Sequence, residues 1–247
     1  MKTPKTIATI EARMTSSRLP GKVLLEASGR PMLSHLIRRL RAVPSLDGIV
    51  LATTTNATDD VLVQFAATEG VMCFRGSEED VMARVVGAAE FAGAEVIVEI
   101  TGDCPIIDPE LIEQTIRMYF AHDAEYVSNC HIRSYPIGMD TQVFPLATLQ
   151  RSLAMTQDPL DHEHVTLHIR NHPDLFPTIH LVAPPEVHWP ELGLTLDERE
   201  DYELLKRIIE HFGESRPLFT CLEAVQLLRA HPEWVALNDM VKRKGDS

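Results

Sequence analysis

Short apolar runs alternate with segments of helical periodicity along the first 130 residues of the chain. Five of these runs are rich in β-branched and other apolar residues, which predicts short, buried strands. They cover Thr6–Ile10, Gly48–Ala52, Val71–Phe74, Glu95–Ile100 and Glu125–Cys130. The alternation of strand and helix is typical of an α/β fold of Rossmann-like type, in which a doubly wound, mostly parallel sheet carries helices on both faces.

The helices between these strands have recognisable ends. Their starts are marked by Pro31, by Thr58, by a capping box formed from Ser77 and Asp80, and by Asp108 with the proline that follows it. A glycine ends the second helix at Gly70 and the third near Gly93. Proline at a first helical position, small polar residues at caps and glycine after the last turn are the residues that helix ends favour.

The pattern changes after Cys130. Residues 134–144 are expected to form a loop that enters a strand, and further elements are predicted at Leu146–Met155 (helix), Pro159–Asn171 (helix), Thr178–Val182 (strand), Leu194–Leu196 (strand) and Glu198–Phe212 (helix). We therefore predict a main domain over residues 1–213, which contains a distinct segment at 131–185, and a helical tail over residues 214–247.

Composition limits the classes of partner. The formal net charge of −13 disfavours a nucleic-acid duplex, because phosphate backbones are bound by basic surfaces. The sequence shows neither a secretory signal nor an apolar stretch long enough for a membrane helix, so no membrane partner and a cytoplasmic location are expected. Four widely spaced cysteines form no CxxC pair, which indicates reduced, structural thiols.

The cations are concentrated at one end of this acidic chain. Through Arg41 there are nine lysines and arginines against two glutamates, a net charge of +7. The first strand leads into a loop that carries Arg13, Arg18 and Lys22 beside Ser16 and Ser17. Three cations, two hydroxyls and exposed backbone N–H groups can surround a triphosphate, although a solvated basic loop would have the same composition. Neither GxxxxGK[ST] nor GxGxxG is present.

Five motifs in order resemble the sugar-activating cytidylyltransferases, the family that makes CMP-Kdo and CMP-sialic acid, and most closely its SpsF-type branch. They are RMTSSRLPGK at 13–22, FRGSEEDVMARVVGAA at 74–89, ITGDCPIIDP at 100–109, YPIGMDTQVF at 135–144 and DHEHVTLHI at 161–169. The resemblance implies a fold of the nucleotide-diphospho-sugar transferase type, which is GT-A-like. It also implies transfer of CMP from CTP to an acidic sugar or related acid, with Mg²⁺ as cofactor and a homodimer as the assembly.

The resemblance assigns roles residue by residue. It gives a catalytic role to Arg13, Arg18, Lys22 and Asp103, and places Mg²⁺ on Asp103 and Asp197. From the residues alone, Asp103 could be a turn residue before Pro105, and Asp197 could cap the helix that begins at Glu198. A divalent metal ion held by two carboxylates would neutralise charge on a triphosphate during phosphoryl transfer.

The nucleotide is expected to contact three segments, namely the loop after the first strand, the segment after the second strand and the RGSEED segment, and also Thr101. They supply Ala12, Arg13, Ser17, Arg18, Lys22, Ala52, Thr53, Arg75, Ser77, Asp80, Arg84 and Thr101. Two of these side chains, Ser77 and Asp80, are also explained as a helix cap, and Arg84 could form an i,i+4 ion pair with Asp80.

The acceptor is assigned to two later segments. The residues are Tyr135, Pro136, Gly138, Asp140, His162 and Glu163. Where the branch usually has Glu and Arg, this chain has Gln142 and His162, and the loss of an arginine from a carboxylate-binding position would alter the choice of acceptor.

Three other functions are compatible with the same motifs. One is a nucleotidyltransferase that uses UTP, ATP or GTP, since the logic of phosphate binding is shared. Another is a glycosyltransferase, which would need a DxD-like metal site, whereas GDCP contains a single Asp. The third is a nucleotide-binding subunit without catalysis, against which the retained Lys22, Asp103 and Asp197 argue.

Overall fold

The computed structural model describes residues 4–242. Nine strands lie at Thr6–Glu11 (β1), Glu26–Ala27 (β2), Arg30–Pro31 (β3), Gly48–Thr54 (β4), Met72–Gly76 (β5), Val96–Thr101 (β6), Tyr126–Ser128 (β7), Gln142–Pro145 (β8) and Thr178–His180 (β9). Seven of them form one sheet in the order β5-β4-β1-β6-β8-β7-β9, while β2 and β3 pair separately. β5, β4, β1 and β6 are parallel neighbours, and β8 runs antiparallel to both β6 and β7.

Within residues 4–242, ten α-helices surround this sheet. They lie at Met32–Leu40 (α1), Asp60–Glu69 (α2), Val81–Ala92 (α3), Pro109–Ala121 (α4), Leu146–Met155 (α5), Pro159–Glu163 (α6), Leu167–Asn171 (α7), Arg199–Phe212 (α8), Cys221–Ala230 (α9) and Pro232–Val235 (α10). Two short 3₁₀ helices occur at Lys22–Leu24 and Ala57–Asp59. None of the helices within residues 4–242 has the length and apolarity needed to cross a membrane.

Alternation along the strands divides the core into two layers. In β1, Ile7 packs with α3 and α5, whereas Ala8 and Ile10 pack with α1 and α4 on the opposite face. Successive side chains of a strand point to opposite faces, so each central strand supplies apolar groups to both layers. The predicted doubly wound sheet is therefore confirmed, with an antiparallel strand inserted at β8.

Three predicted elements differ from the structure. The expected helix Pro159–Asn171 is two short helices, α6 and α7, because the chain leaves helical geometry at His164 and the Thr166 hydroxyl bonds to Gln142 of β8. The expected strand Leu194–Leu196 does not form, since Leu194 N–H donates to Ile137 and Leu196 N–H donates to Asp103 in separate loops.

The start of α3 also differs from the prediction. Asp80 is its N-cap and accepts from the N–H of Ala83 at 2.8 Å, while Ser77 lies before the helix and accepts from the N–H of Asp80 at 3.0 Å. Ser77 is therefore not the cap. The two residues form consecutive turns instead of one capping box.

The C-terminal helices pack onto the main domain. α8 and α9 share an apolar cluster with residues of the 135–139 loop and with the segment that leads into α8. Thr220 begins α9 with a capping box to Glu223. A domain boundary at residue 213 stays a prediction, and residues 243–247 of the predicted tail lie outside the described residues.

Candidate active site

The loop after β1 directs Lys22 towards the carboxyl edge of the parallel strands. The loop begins at Ala12, whose N–H donates to the carbonyl of Ala52 at 3.3 Å, and it closes where Gly21 N–H donates to Met14 at 3.0 Å. Gly21 has φ +70°, a left-handed conformation that glycine adopts without strain, and the 3₁₀ turn at Lys22 follows immediately. Ligands of α/β folds bind at this edge of the sheet.

Three charged side chains from distant parts of the sequence meet there. Lys22 Nζ lies 3.2 Å from Asp103 Oδ2 and 2.9 Å from Asp197 Oδ1. Asp103 follows β6, and Asp197 precedes α8. Because Glu198 is the N-cap of α8 and forms a capping box with Asp201, Asp197 does not serve as the cap that the sequence left possible. The side chain of Asp197 accepts from Lys22 instead.

Arg18 completes this cluster. Its Nη2 lies 2.7 Å from Asp197 Oδ1, and its Nη1 donates to the carbonyl of Lys242 at 3.0 Å. The hydroxyl of Thr101 donates to Asp103 Oδ1 at 2.6 Å, which orients that carboxylate. Five of the residues singled out from the sequence, Arg18, Lys22, Thr101, Asp103 and Asp197, are therefore brought together by the fold.

The surroundings of Lys22 and Asp103 favour the charged form of each side chain. Burial alone would lower the pKa of Lys22, but the charges and hydrogen bonds of Asp103 and Asp197 outweigh it and raise the pKa. Burial alone would raise the pKa of Asp103, whereas the Lys22 charge and the hydrogen bonds from Thr101 and Lys22 lower it overall. Each charge thus stabilises its neighbours in a partly buried setting.

The donor chemistry of this cluster fits a hard divalent cation. Asp103 and Asp197 present carboxylate oxygens, the ligand type that Mg²⁺ prefers, and the Lys22 ammonium that bridges them shows that a positive charge is stable between them. Residues 4–242 contain no group of three or more His, Cys, Asp or Glu side chains arranged to hold a metal by themselves. Such sites for Mg²⁺ take their remaining ligands from water and substrate phosphates.

Arg13 is directed away from this cluster. Its Nη1 lies 3.1 Å from Glu78 Oε1, which also accepts from the hydroxyl of Thr15 at 2.6 Å. Both members of the ion pair are exposed enough for solvent to weaken it, so Arg13 can exchange Glu78 for another anion at small cost. Ser17 lies exposed on the same loop. Glu78, which the sequence reasoning missed, is an acidic neighbour of the loop within the RGSEED motif.

The segment after β4 is held by two charged residues. Arg75 donates from Nε to the carbonyl of Thr54 and from Nη2 to the carbonyl of Asn56, both at 2.8 Å, and pairs with Asp60. Buried Asp59 accepts from the hydroxyl of Thr53 at 3.0 Å and from the N–H of Met14 at 2.8 Å.

These bonds join the β4 segment to the loop after β1. They involve Thr53 through its hydroxyl and Ala52 through its carbonyl. Asp59 was not predicted, although the TTTNATDD run that contains it carries the required hydroxyls and carboxylates. The predicted nucleotide residues at this strand end therefore form one connected wall, in which Arg75 orders the backbone.

The beginning of α3 forms a second wall. Arg84 is buried and donates from Nη1 to the carbonyls of Ser77 and Glu78. Asp80 pairs with His162 Nδ1 at 2.9 Å, and this hydrogen bond raises the pKa of His162. The ion pair between Arg84 and Asp80 that the spacing allowed is not formed among the described residues. Contacts within the protein thus account for the positions of the Ser77, Asp80 and Arg84 side chains.

Comparison with known proteins identifies the family to which this chain belongs. The sequence matches the cytidylyltransferase family over residues 7–224. The chain belongs to the cytidylyltransferase family. It is 38% identical over 230 residues to spore coat polysaccharide biosynthesis protein SpsF of Bacillus subtilis, across 91% of this chain and 94% of that protein. The expectation drawn from the five motifs is therefore confirmed at the level of the family.

Solved structures agree with this assignment. A cytidylyltransferase from Leptospira borgpetersenii superposes with a TM-score of 0.89 at 29% identity and covers 94% of this chain and 97% of its own. A CMP:2-keto-3-deoxy-manno-octonic acid synthetase complexed with CTP has a TM-score of 0.60 at 18% identity, over 84% and 99% of the chains, and supports the shared fold. The predicted fold of the nucleotide-diphospho-sugar transferase type is confirmed.

Among the residues predicted to bind the acceptor of this cytidylyltransferase, Tyr135 and Gly138 have evident structural roles. The Tyr135 side chain is 2% exposed and lies in the cluster formed with α8 and α9. Gly138 has φ +102°, and a Cβ at this position would lie 2.6 Å from the carbonyl carbon of Leu194. The loop must therefore approach the 194–197 segment closely, and only glycine permits that contact. Pro136 is buried beside it and accepts from the N–H of Met139.

Asp140 lies nearer the charged cluster. It pairs with Arg133 at 2.6 Å; burial raises its pKa, Arg133 opposes that effect, and the negative charge of Asp103 adds to it. His162 and Glu163 lie in α6, where His162 contacts Asp80. Two buried carboxyls that sequence reasoning missed are Glu11, at the end of β1, and Glu99, within β6. Their signal was a charged residue in an otherwise apolar strand.

Proposed function

We propose that this cytidylyltransferase transfers CMP from CTP to an acidic sugar or related acid and releases pyrophosphate. The observation that supports this proposal is the cluster of Lys22, Arg18, Asp103 and Asp197 at the carboxyl edge of the parallel strands. Two cations and two carboxylates at one place match the needs of a triphosphate and its divalent metal.

The cations of the loop would hold the leaving group. Lys22 and Arg18 are each paired with Asp197 in the structure. A bound triphosphate would form ion pairs with these two cations in place of Asp197, and Asp103 and Asp197 would then bind a metal ion. Backbone N–H groups of the loop and the Ser17 hydroxyl add donors for the β- and γ-phosphates. Arg13, held by an exposed ion pair with Glu78, can swing to the same anion.

We assign the metal role to Mg²⁺ on Asp103 and Asp197. When bound, the ion would neutralise charge on the phosphates and so make the α-phosphorus a better electrophile. The acceptor hydroxyl oxygen forms a bond to the α-phosphorus as the bond to the bridging oxygen of the β-phosphate breaks. Pyrophosphate leaves with the electron pair, and the hydroxyl proton passes to solvent. The chain's own residues orient both groups, which supplies most of the acceleration in such transfers.

The acidic acceptor is inferred from two relatives. SpsF is described as a spore coat polysaccharide biosynthesis protein, and the fold relative complexed with CTP acts on 2-keto-3-deoxy-manno-octonic acid. On the basis of SpsF, we propose a role in the biosynthesis of a surface polysaccharide.

We also propose a homodimer formed through residues 131–185. Large apolar side chains in this segment are exposed: Ile132, Met155, Leu160, Leu175 and Val182. An exposed apolar group of this kind is a common feature of protein interfaces.

The proposed function is tested by measuring nucleotide choice and turnover separately. Thermal shifts with CTP, UTP, ATP and GTP in the presence of Mg²⁺ are expected to show selective stabilisation by CTP, since only a bound ligand raises the melting temperature in this way. Pyrophosphate release is then followed with CTP and a set of sugar acids. If UTP alone raised the melting temperature, UTP and not CTP would be identified as the donor.

A further inference from the structure

A row of polar side chains crosses the sheet on the face that packs against α3, α5 and α7. Register pairs Thr9 of β1 with Glu99 of β6, Glu99 with Gln142 of β8, Gln142 with Ser128 of β7, and Ser128 with His180 of β9. Residues in register on neighbouring strands point to the same face. We call these five residues the polar row.

The polar row lies where the same face changes from apolar to polar. One pleat away, towards the amino ends of β1 and β6, the face carries the buried apolar side chains Ile7, Ile97, Phe144 and Tyr126. The polar row also borders the candidate active site, because Glu99 lies four residues before Asp103 at the end of β6. Polar side chains buried inside an apolar layer weaken the core unless their donors and acceptors are hydrogen-bonded.

Hydrogen bonds satisfy only the middle of the polar row. Gln142 donates through its amide to the carboxyl of Glu99 and accepts from the hydroxyl of Thr166 at 2.6 Å. Among the described residues, no partner bonds to Thr9 Oγ1 or His180 Nδ1, and both atoms are buried. Ser128 Oγ has no hydrogen bond of good geometry either, although the Tyr126 hydroxyl lies beside it. Donors and acceptors are thus left for a ligand or for water.

Arg170 of α7 brings a positive charge to this band. Its Nε is buried and has no hydrogen-bond partner within residues 4–242, and no carboxylate of those residues lies within ion-pair distance of its guanidinium. Burial raises the pKa of Glu99 and of Asp140, and the charge of Arg170 acts on both in the opposite direction. The guanidinium is therefore close to the polar row and to the Asp140 side of the active site.

Other cations at this edge already have partners. Lys22 bridges Asp103 and Asp197, Arg133 pairs with Asp140 at 2.6 Å, and Arg84 donates to the backbone carbonyls of Ser77 and Glu78. A guanidinium that is partly buried without a counter-ion is unfavourable, and its planar fork matches a carboxylate. The contrast marks Arg170 as the cation available to an incoming anion.

We propose that Arg170 binds the carboxylate of the acceptor and so determines that the acceptor is an acid, with the Ser128 hydroxyl and the His180 ring as additional hydrogen-bonding groups. This inference rests on the proposed function and adds a residue to it. Bound there, the carboxylate would neutralise Arg170 and leave the hydroxyls of the acceptor directed towards Asp103 and the α-phosphate. Arg170 acts by recognition and takes no part in the bond changes.

The test compares Arg170→Gln and Arg170→Lys with Arg151→Gln. Arg151 is a suitable control because it lies in the same part of the fold and pairs with Glu125 at 2.8 Å, outside the polar row. Each protein is supplied with CTP, Mg²⁺ and either N-acetylneuraminate or 3-deoxy-manno-octulosonate, and in parallel with the methyl ester of each acid. Pyrophosphate release gives KM and kcat, and ligand-observed NMR measures binding of the same probes to the CTP-loaded protein.

For the acid that the wild-type protein uses or binds best, Arg170→Gln is expected to raise KM or Kd by about 30-fold or more, because a buried charge pair is lost. The KM for CTP is expected to change by less than about twofold, because removal of a contact confined to one ligand affects uniform binding of that ligand alone. Arg170→Lys should fall between wild type and Arg170→Gln, and Arg151→Gln should match wild type. The methyl esters should bind wild type and Arg170→Gln equally weakly.

Three results would overturn the inference. An acid whose KM or Kd is unchanged in Arg170→Gln would remove Arg170 while leaving the proposed function intact. The inference about Arg170 would also fail, with the proposed function intact, if the esters and the acids bound wild type equally. It would fail in the same way if neither acid bound the CTP-loaded protein. Failure of wild type to bind CTP would instead overturn the proposed function and this inference with it. Melting temperatures with and without CTP show whether each variant is folded.

Discussion

At the scale of single residues, the cluster around Lys22 is balanced by charge. Lys22 lies within 3.2 Å of both Asp103 and Asp197, and the opposite charges of Lys22 and Asp103 each favour the charged form of the other. Such a group has two uses. It stabilises the free protein as an ion-pair network. In the proposed reaction, its cations would bind the phosphates and its carboxylates would bind the metal ion.

We expect Asp103→Asn to lower CTP-dependent pyrophosphate release by about 100-fold or more, because one charged group that stabilises the transition state is lost. The fold should remain, since the amide still accepts from the Thr101 hydroxyl. Turnover with CTP and an active acid measures the effect, and circular dichroism checks the fold. Asp123→Asn, on an exposed turn, is the matched control. Turnover equal to wild type would exclude Asp103 from the mechanism.

Glu99 is expected to make stability depend on pH. Burial is the main reason that its pKa rises to about 7, with the carboxyl of Glu11 beside it and Gln142, Arg170 and Asp140 as its other polar neighbours. The folded state then binds more protons than the unfolded chain between about pH 4.3 and pH 7, so this residue lowers the free energy of unfolding as pH rises through that range.

The substitution Glu99→Gln removes the decrease in the free energy of unfolding that ionisation of Glu99 causes. At pH 8 we expect the variant to have a free energy of unfolding about 1–2 kcal/mol above that of wild type, and near pH 4 the difference should vanish. Urea unfolding at both pH values measures it. Glu203→Gln on the exposed face of α8 should show no such dependence. A difference that is the same at both pH values would show that Glu99 does not titrate in this range.

At the scale of elements, the site depends on contacts between segments that have no regular structure. The segment that carries Asp197 bonds to the loop at Ile137 through Leu194 N–H and to Asp103 through Leu196 N–H, at 2.7 and 2.8 Å. Gly138 lies against this segment, where a Cβ would meet Leu194 at 2.6 Å. One glycine therefore fixes how closely the 135–139 loop and the segment that carries Asp197 approach each other.

Gly138→Ala is expected to lower the free energy of unfolding by about 2–4 kcal/mol, because a positive φ and a steric clash add together. Displacement of Asp197 should also lower kcat. Gly29→Ala is the matched control, since Gly29 has φ +70° but open space around its Cβ, and it should cost only about 1 kcal/mol. Urea midpoints and pyrophosphate release measure both effects. Equal losses in the two variants would argue against a steric role for Gly138.

At the scale of the whole molecule, exposed apolar residues of the 131–185 segment predict association. Leu160 and Val182 are 57% and 55% exposed, which is unusual for large aliphatic side chains in one segment. We expect a dimer by light scattering at micromolar concentration, and a monomer for the double variant Leu160→Asp with Val182→Asp. Met240→Asp, at a residue that is 88% exposed elsewhere, should remain a dimer. A monomeric wild type would contradict the proposed assembly.

The sequence by itself determined the strands and helices of the parallel part of the sheet. β1, β4, β5 and β6 lie within two residues of their predicted ends, because each is an apolar run bounded by turn residues. It also determined the family and the charged groups Lys22 and Asp103, since these lie in the motifs at 13–22 and 100–109, each of which is continuous along the chain. Local patterns of this kind can be recognised in the sequence without knowing which residues they contact in the folded protein.

Tertiary structure alone decided what depends on distant partners. The break between α6 and α7 follows a bond from Thr166 to Gln142, and the 194–196 segment is irregular because its N–H groups bond to two separate loops. The polar row exists only through register across β1, β6, β8, β7 and β9, which brings Thr9 and His180 into one band although 171 residues separate them. Periodicity gives the face of each strand, but the pairing of strands decides which side chains share that face.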